Sequence, residues 1–423
     1  MPFRKVMDRL LLLIPSRSYR AADFLKAAAE IGVEIITACD KRQTLEGIVP
    51  GRMLTLDFPD LERSLEKAVL FSKKYPFQAV VSADEDATVL ASMISGALSL
   101  PHNPIAATAM AKDKEALRKC LLSHNVPTPS FQIYSIETDP EELAPEIDFP
   151  LVLKPTFLSA SRGVIRADNR KELIQAFLFL KKFLKDPQVK KQGGAAAEKI
   201  LIEEYIPGVE VALEGLLRNK QLSCLALFDK PDPLTGPFFE ETIYITPSRL
   251  PPEIQEEIIA CTQKGCKALG LSEGPIHAEI RVNDKGPAII EIAARSIGGL
   301  CSRTLRFGTG LSLEEIILRQ ALLMPIQSLK RREVATGVMM IPVPKAGVLK
   351  EVYGLEAAKK VQGIEEITIT LLLGQNVIPL PEGRSYLGFI FALGETPNQV
   401  EAALREAHQK LQFDIMSPSQ ALP

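Results

Sequence analysis

The chain has 423 residues, enough for about two to four domains with ample core. Its hydrophobic fraction of 46% and charged fraction of 24% are ordinary for a globular protein. Fifty basic against fifty-two acidic residues give a net charge of −2, which excludes the footprint of a nucleic-acid binder or a polybasic membrane surface and leaves small molecules as the expected partners.

The run Leu10 to Ile14 follows Arg4 and Lys5 in the manner of a signal sequence, but Asp8 and Arg9 interrupt it. Five apolar residues before Pro15 are too few for a signal core or a membrane span, so a buried strand is expected. Helix Ala21 to Ile31 and strand Glu34 to Ala38 complete a βαβ unit. Met53 to Leu56, Leu61 to Lys74, Ala79 to Val81 and Ala87 to Leu98 continue the alternation, predicting a parallel α/β domain. Such sheets take ligands at the carboxyl ends of their strands, here Ser16-Arg17-Ser18 and Asp84-Glu85-Asp86. Glu85 is read chiefly as an acidic cap at a helix N-terminus. No G-x-G-x-x-G follows the first strand, which disfavours a dinucleotide dehydrogenase.

The helix Asp113 to Ser123 carries Lys114 in its first turn, where the macrodipole disfavours a cation, so a task is expected of it. A strand at Phe131 to Tyr134 follows. Phe149 to Pro155 reads as a short buried strand ending in Lys154, a charge that a sheet core tolerates only when an anion meets it. The small residues of Ser159 to Val164 allow backbone N–H groups to approach a phosphate closely. After helix Lys171 to Leu184, the polar and small residues of Asp186 to Lys199 predict a mobile segment. Ile200 to Val211 reads as strand, turn and strand, compatible with a nucleotide hinge and equally with an exposed hairpin.

Gly274 to Leu300 is expected to form two strands around the turn Asn283-Asp284-Lys285-Gly286. Period-two alternation puts His277, Glu279 and Arg281 on one face and Ile276, Ala278 and Ile280 on the other. Pairing across the turn brings Glu279 towards Glu291, either as two oxygen ligands for a hard cation carried by a phosphate substrate or as two solvated carboxylates. Beyond them, Leu311 to Leu323 is an amphipathic core helix. Glu333 to Val343, Leu355 to Lys360, Ile364 to Leu372, Ser385 to Leu393 and Pro397 to Gln412 predict a separate α+β lobe that walls a substrate cleft and holds no catalytic constellation. The six cysteines contain no C-x-x-C pair and are expected as reduced, mostly buried thiols of a cytoplasmic protein.

Lys114, the LVLKP strand, the small-residue loop, EEYIPGVE and the twin-glutamate strands ending EIAAR-x-x-GG stand in the order and spacing of one superfamily. The chain resembles ATP-grasp carboxylate-amine ligases over roughly Leu10 to Leu323, and its tail looks like that of the L-amino-acid (dipeptide) ligase branch. The resemblance implies a multidomain α/β and α+β chain with an ATP-grasp fold. An N-terminal parallel α/β (pre-ATP-grasp) domain would span 1–112, and the ATP-grasp region 113–323, with its lid in 113–206 and its catalytic core in 207–323. A C-terminal α+β lobe would occupy 324–423.

The resemblance further implies that Lys114 and Lys154 hold the α- and β-phosphates of ATP, and that Ser161 to Val164, with Gly163, form the loop over the triphosphate. Glu203, Tyr205 and Ile206 match the adenine hinge and Glu210 the acid that grips the ribose. Glu279 and Glu291 match ligands of magnesium, with manganese as an option. Arg295 matches the arginine that steadies the phosphoryl group and the substrate carboxylate, Gly298 belongs to the motif that follows it, and His277 matches a histidine beside the first metal ligand in dipeptide-forming relatives. Ala293 departs from the superfamily pattern, which has asparagine there, so one metal ligand is lost. The implied activity joins a small acid, such as an amino acid, to an amine through an acyl phosphate, giving ADP and phosphate. A purine-pathway ligase resembling glycinamide ribonucleotide synthetase, or a nucleotide-binding protein with impaired catalysis, are the alternatives. A homodimer is compatible with the resemblance.

Overall fold

The computed structural model describes residues 8–42, 49, 51–143, 148–383 and 385–416. The leucine run becomes strand β1 (Arg9–Leu13), completely buried from Leu10 onward because parallel neighbours flank it and helices cover both faces. With β2 (Glu34–Cys39), β3 (Met53–Thr55) and β4 (Ala79–Ser82) it forms a parallel sheet of order β3-β2-β1-β4. The carboxyl ends of β1 and β4 lead to Arg17 and to Asp84-Glu85-Asp86, all of which border the main cleft, as the topology requires of a parallel sheet.

Strands β5 (Phe131–Ser135), β6 (Leu151–Lys154), β7 (Ile165–Ala167) and β8 (Lys199–Glu204) make an antiparallel sheet of order β5-β8-β6-β7. Helix Arg170–Leu184 lays Leu173, Phe177, Leu180 and Leu184 on that sheet as a separate core. The expectation of a mobile segment over 186–199 is corrected. Pro187–Gly193 is helical and Gly194–Glu198 is a 3₁₀ turn, with Val189 and Ala197 buried. Asp186 accepts hydrogen bonds from the Gln188 and Val189 amides, and Pro187 occupies the first turn, a start signal outweighed in the sequence by the glycines that follow.

The largest sheet is antiparallel. It comprises β9 (Val209–Arg218), β10 (Gln221–Asp229), β11 (Ile243–Thr246), β12 (Gly274–Asn283), β13 (Gly286–Ala293), β14 (Ala335–Ile341) and two strands from later in the chain. After β15 (Gly347–Tyr353) come β16 (Ile364–Ile369), β17 (Asn376–Val377), β18 (Gly388–Gly394) and β19 (Gln412–Met416). The strand order is β13-β12-β9-β10-β11-β14-β18-β16, so the segment after 323 is not separate at the level of sheets. Three of its strands extend the same sheet, and β15, β17 and β19 form a small one of their own. Val400, Leu404 and Ala407 of helix Pro397–Gln409 pack there with Ile341 and Ile390. Helix Leu313–Ala321 starts at a Ser312/Glu315 capping box and buries Ile316 and Ile317 in the core, as its pattern predicts. Among the described residues no helix is long and apolar enough to cross a membrane.

Candidate active site

The expected hairpin is β12 and β13, paired with Glu279 opposite Glu291 and His277 opposite Ala293. On its other side β12 pairs with β9, which puts Glu214 beside His277, Ala212 beside Glu279 and Glu210 beside Arg281. Because side chains alternate, all of these stand on one face. Val211, Leu213, Ile276, Ala278, Ile280 and Ile292 form a buried apolar layer on the other. The sheet therefore presents a polar board backed by a rigid core.

The two lysines reach this board from different directions. The Lys114 amide donates to Thr156 O (2.9 Å), which ties its helix to the end of β6. Its Nζ donates to Leu158 O (2.8 Å) and stands 3.1 Å from Glu291 Oε2. Lys154, 4% exposed, contacts Glu203. Arg118 meets the same carboxylate at 2.9 Å, with no exposure at all. Burial opposes the charge on Glu203, but Arg118 and Lys154 overcome it and hold its carboxyl below the usual range. Arg118 is one turn on from Lys114 and escaped the sequence reading, which weighed Lys114 alone in this helix.

The loop over this pair is built from strained backbone. Ala160 and Ser161 both have φ in the left-handed region (56° and 53°), at about 1–2 kcal/mol each for non-glycine residues. Gly163 adopts 70°, and a Cβ there would meet Leu180 and Pro155 at 3.0 Å. The Gly163 amide is not free for a phosphate: it donates to Pro381 O (2.9 Å) of the segment between β17 and β18, and Arg162 Nε donates to Glu382 O (3.2 Å). At the hinge, the guanidinium groups of Arg166 (4.2 Å) and Arg281 (4.9 Å) both lie over the Tyr205 ring, and its hydroxyl accepts from Arg281 Nη1 (2.8 Å). Ile206 presents its carbonyl to the same Arg281 atom (3.1 Å).

Across the board lies an acidic group that the sequence reading only half found. Oxygen atoms of Glu210, Glu241 and Glu279 lie within 4.8 Å of one another. The Lys230 ammonium is held among them, 2.8 Å from Glu210, 3.5 Å from Glu279 and in contact with Glu241. Burial disfavours the Lys230 charge, yet the three carboxylates raise its pKa well above the usual lysine value. Glu241 is pushed up to about 7 by burial and by Glu279 and Glu210, against the pull of Lys230. His277 is also opposed by burial, but Glu214 and Glu279 raise it to about 9.

Arg295, just past β13, places Nε 2.7 Å from Glu85 Oε2, so the N-terminal domain and the board meet through an ion pair. The expectation that Glu85 is chiefly a helix cap is corrected. Asp84 holds the cap position, and the Glu85 side chain is buried against Arg295, with burial raising its pKa. Gly298 lies in the wall three residues on, and a Cβ there would enter open space.

These groups line one cleft of about 460 Å³. The structure brings Lys114, Lys154, Ser161, Glu203, Tyr205, Ile206, Glu210, His277, Glu279, Glu291, Arg295 and Gly298 to its wall, with Gly163 immediately behind the loop. It adds Glu85, Glu241, and Met340 and Tyr386 of the C-terminal segment, which therefore walls the cleft as expected. A row of cations facing a row of carboxylates suits a polyanion accompanied by a hard cation.

The family model for an ATP-grasp domain matches residues 147–304, and that for L-amino acid ligase C-terminal domain 2 matches residues 339–416. Alanine-anticapsin ligase of Bacillus subtilis is 26% identical over 269 residues, covering 61% of this chain and 56% of that protein. Carnosine synthase 1 of Gallus gallus is 27% identical over 373 residues, 82% of this chain and 39% of that protein. The chain thus spans about half or less of these two ligases. The crystal structure of an L-amino acid ligase from Bacillus licheniformis superposes with a TM-score of 0.83 at 26% identity, covering 97% of this chain and 99% of that one.

Proposed function

We propose that this ATP-grasp protein, which ends in an L-amino acid ligase C-terminal domain, is an ATP-dependent ligase that joins a small carboxylic acid, an amino acid foremost, to an amine. The convergence of Lys114, Lys154 and Arg295 with Glu279 and Glu291 on one cleft carries the reading. A carboxylate oxygen attacks the γ-phosphorus of ATP, ADP leaves, and the resulting acyl phosphate is attacked by the amine nitrogen, which forms the C–N bond and releases phosphate.

On this reading each residue has a task that its surroundings support. Lys114 and Lys154 neutralise the phosphates and hold them in line, because phosphoryl transfer is helped mainly by positioning and charge stabilisation. Arg295, steered by Glu85, faces the reacting carboxylate and the phosphoryl oxygens. Glu203 sets Lys154 from behind, while Tyr205 and Ile206 offer a flat ring edge and backbone groups to the adenine. The strained loop at Ser159 to Gly163, held by the C-terminal segment, excludes water that would hydrolyse the acyl phosphate. Glu279 and Glu291, opposite each other on β12 and β13, are the oxygen donors that would hold magnesium or manganese, which when bound would supply charge neutralisation at the phosphates, whereas Glu210 and Glu241 are met by the Lys230 ammonium and leave Glu210 to the ribose.

Ala293 supplies no oxygen to that set and is buried opposite His277. Ala293→Asn restores a donor on the right face, so the magnesium concentration for half-maximal phosphate release should fall. The wild type should still turn over at high magnesium. An inactive wild type that the single change activates would instead make alanine a disabling residue.

A phosphate-release screen with amino acids offered in pairs tests the whole reading. The expected result is release that requires ATP and both partners. Nucleotide binding that magnesium tightens, with no phosphate from any pair, would establish a binding protein in place of a ligase.

A further inference from the structure

Glu214 is a carboxylate that none of the roles above uses. It sits in the middle of β9 within the apolar run Val211-Ala212-Leu213-Glu214-Gly215-Leu216-Leu217, and it has no solvent exposure. Burying an acid there is costly, and an apolar side chain of similar volume would serve the packing better. What Glu214 gains is specific. Oε2 accepts a hydrogen bond from the Ile297 amide (2.9 Å) and lies 3.3 Å from His277 Nδ1, while Oε1 has no hydrogen-bond partner among the described residues.

These two contacts join separate parts of the cleft. His277 is the neighbour of Glu214 across the strand pair, and its other nitrogen, Nε2, faces Glu279 Oε1 at 3.8 Å. On the far side His277 stands opposite Ala293, whose side chain carries no polar atom to orient the ring. Ile297 opens the turn Ile297-Gly298-Gly299 that follows Arg295 and lines the cleft. A single buried oxygen therefore fixes both the rotation of the imidazole and the path of the backbone beyond Arg295.

We propose that Glu214 is a positioning residue for the ligation reaction, acting through His277 and the Ile297–Gly299 turn. The assignment rests on the ligase reading. By turning Nδ1 inward, Glu214 presents Nε2 to Glu279, and by capturing the Ile297 amide it sets the glycine turn against the reacting carboxylate. Loss of this acceptor leaves two buried donors unpaired and frees the ring to rotate.

Glu214→Gln in the full chain separates positioning from packing, because the amide keeps shape and one acceptor oxygen but loses the charge facing the imidazole. Three measurements on both proteins decide it: thermal melting with magnesium-ATP affinity by calorimetry, side-chain ¹⁵N spectra of His277, and kcat and KM for amine-dependent phosphate release. The expected result is a retained fold and ATP affinity, an altered His277 nitrogen pattern, and a kcat lowered about 10- to 100-fold with little change in KM for ATP, the usual loss when a group that orients a site residue is removed. An unchanged His277 spectrum, an unchanged kcat, or a Gln variant that does not fold would each overturn the assignment. Should the wild type release no phosphate with any substrate pair, the ligase reading fails by itself, and the spectra still report whether Glu214 orients His277.

Discussion

Glu291→Gln is expected to leave the protein folded and to lower ATP-dependent phosphate release by at least about 100-fold, the usual scale for removing one charge-stabilising group from an active site. The side chain keeps its shape, and its 22% exposure and its single ion pair among the described residues, with Lys114, mean that little stability depends on it. Activity depends on it for two reasons. The carboxylate faces Glu279 across the hairpin, where the proposed cation would be shared, and it stands 3.1 Å from Lys114, the proposed phosphate ligand. Melting temperature and phosphate release measured together are the check. Near-normal release in saturating magnesium would remove Glu291 from the site.

Lys154→Ala should weaken ATP binding by roughly 2–5 kcal/mol, the range for truncating one member of a buried, hydrogen-bonded charge pair. The loss has two parts. One cation facing the phosphates disappears, and Glu203, 3% exposed, turns a negative charge towards the nucleotide. Arg118 continues to pair Glu203 at 2.9 Å, so the fold should survive, with a smaller stability loss than the about 3–5 kcal/mol of an orphaned buried charge. Calorimetric titration with ATP below the melting temperature reads the affinity directly. Unchanged affinity would mean that Lys154 serves only to hold Glu203.

Arg118 illustrates where local reading stops. Its helix shows an ordinary amphipathic pattern, and only the approach of β8 reveals that the guanidinium is completely enclosed. Two of its nitrogen atoms are buried with no hydrogen-bond partner among the described residues, a costly arrangement for a charge.

Pairing outward from the turn at Asn283 to Gly286 would set Glu279 against Ile290, and only a register shift between Glu279 and Ile280 in the folded hairpin sets it against Glu291. The sequence alone determined the two strands of the board, each with its polar and its apolar face. It also determined the parallel N-terminal sheet, from the buried leucine run, and the helix starts marked by Asp113 and Ser312. Those features are local, fixed by side chains a few residues apart.

Tertiary structure decided what faces the board. Glu85 comes from a short turn after β4 and Glu241 from the approach to β11, and no spacing in the chain relates them to the hairpin. Strand order decides it, since β9, β10 and β11 follow β12 in the sheet while strands from beyond residue 334 continue the same surface. Sheet order reflects which apolar faces find one another, a choice made between residues as far apart as Ile243 and Met339, whereas alternation and capping act within one turn or one strand.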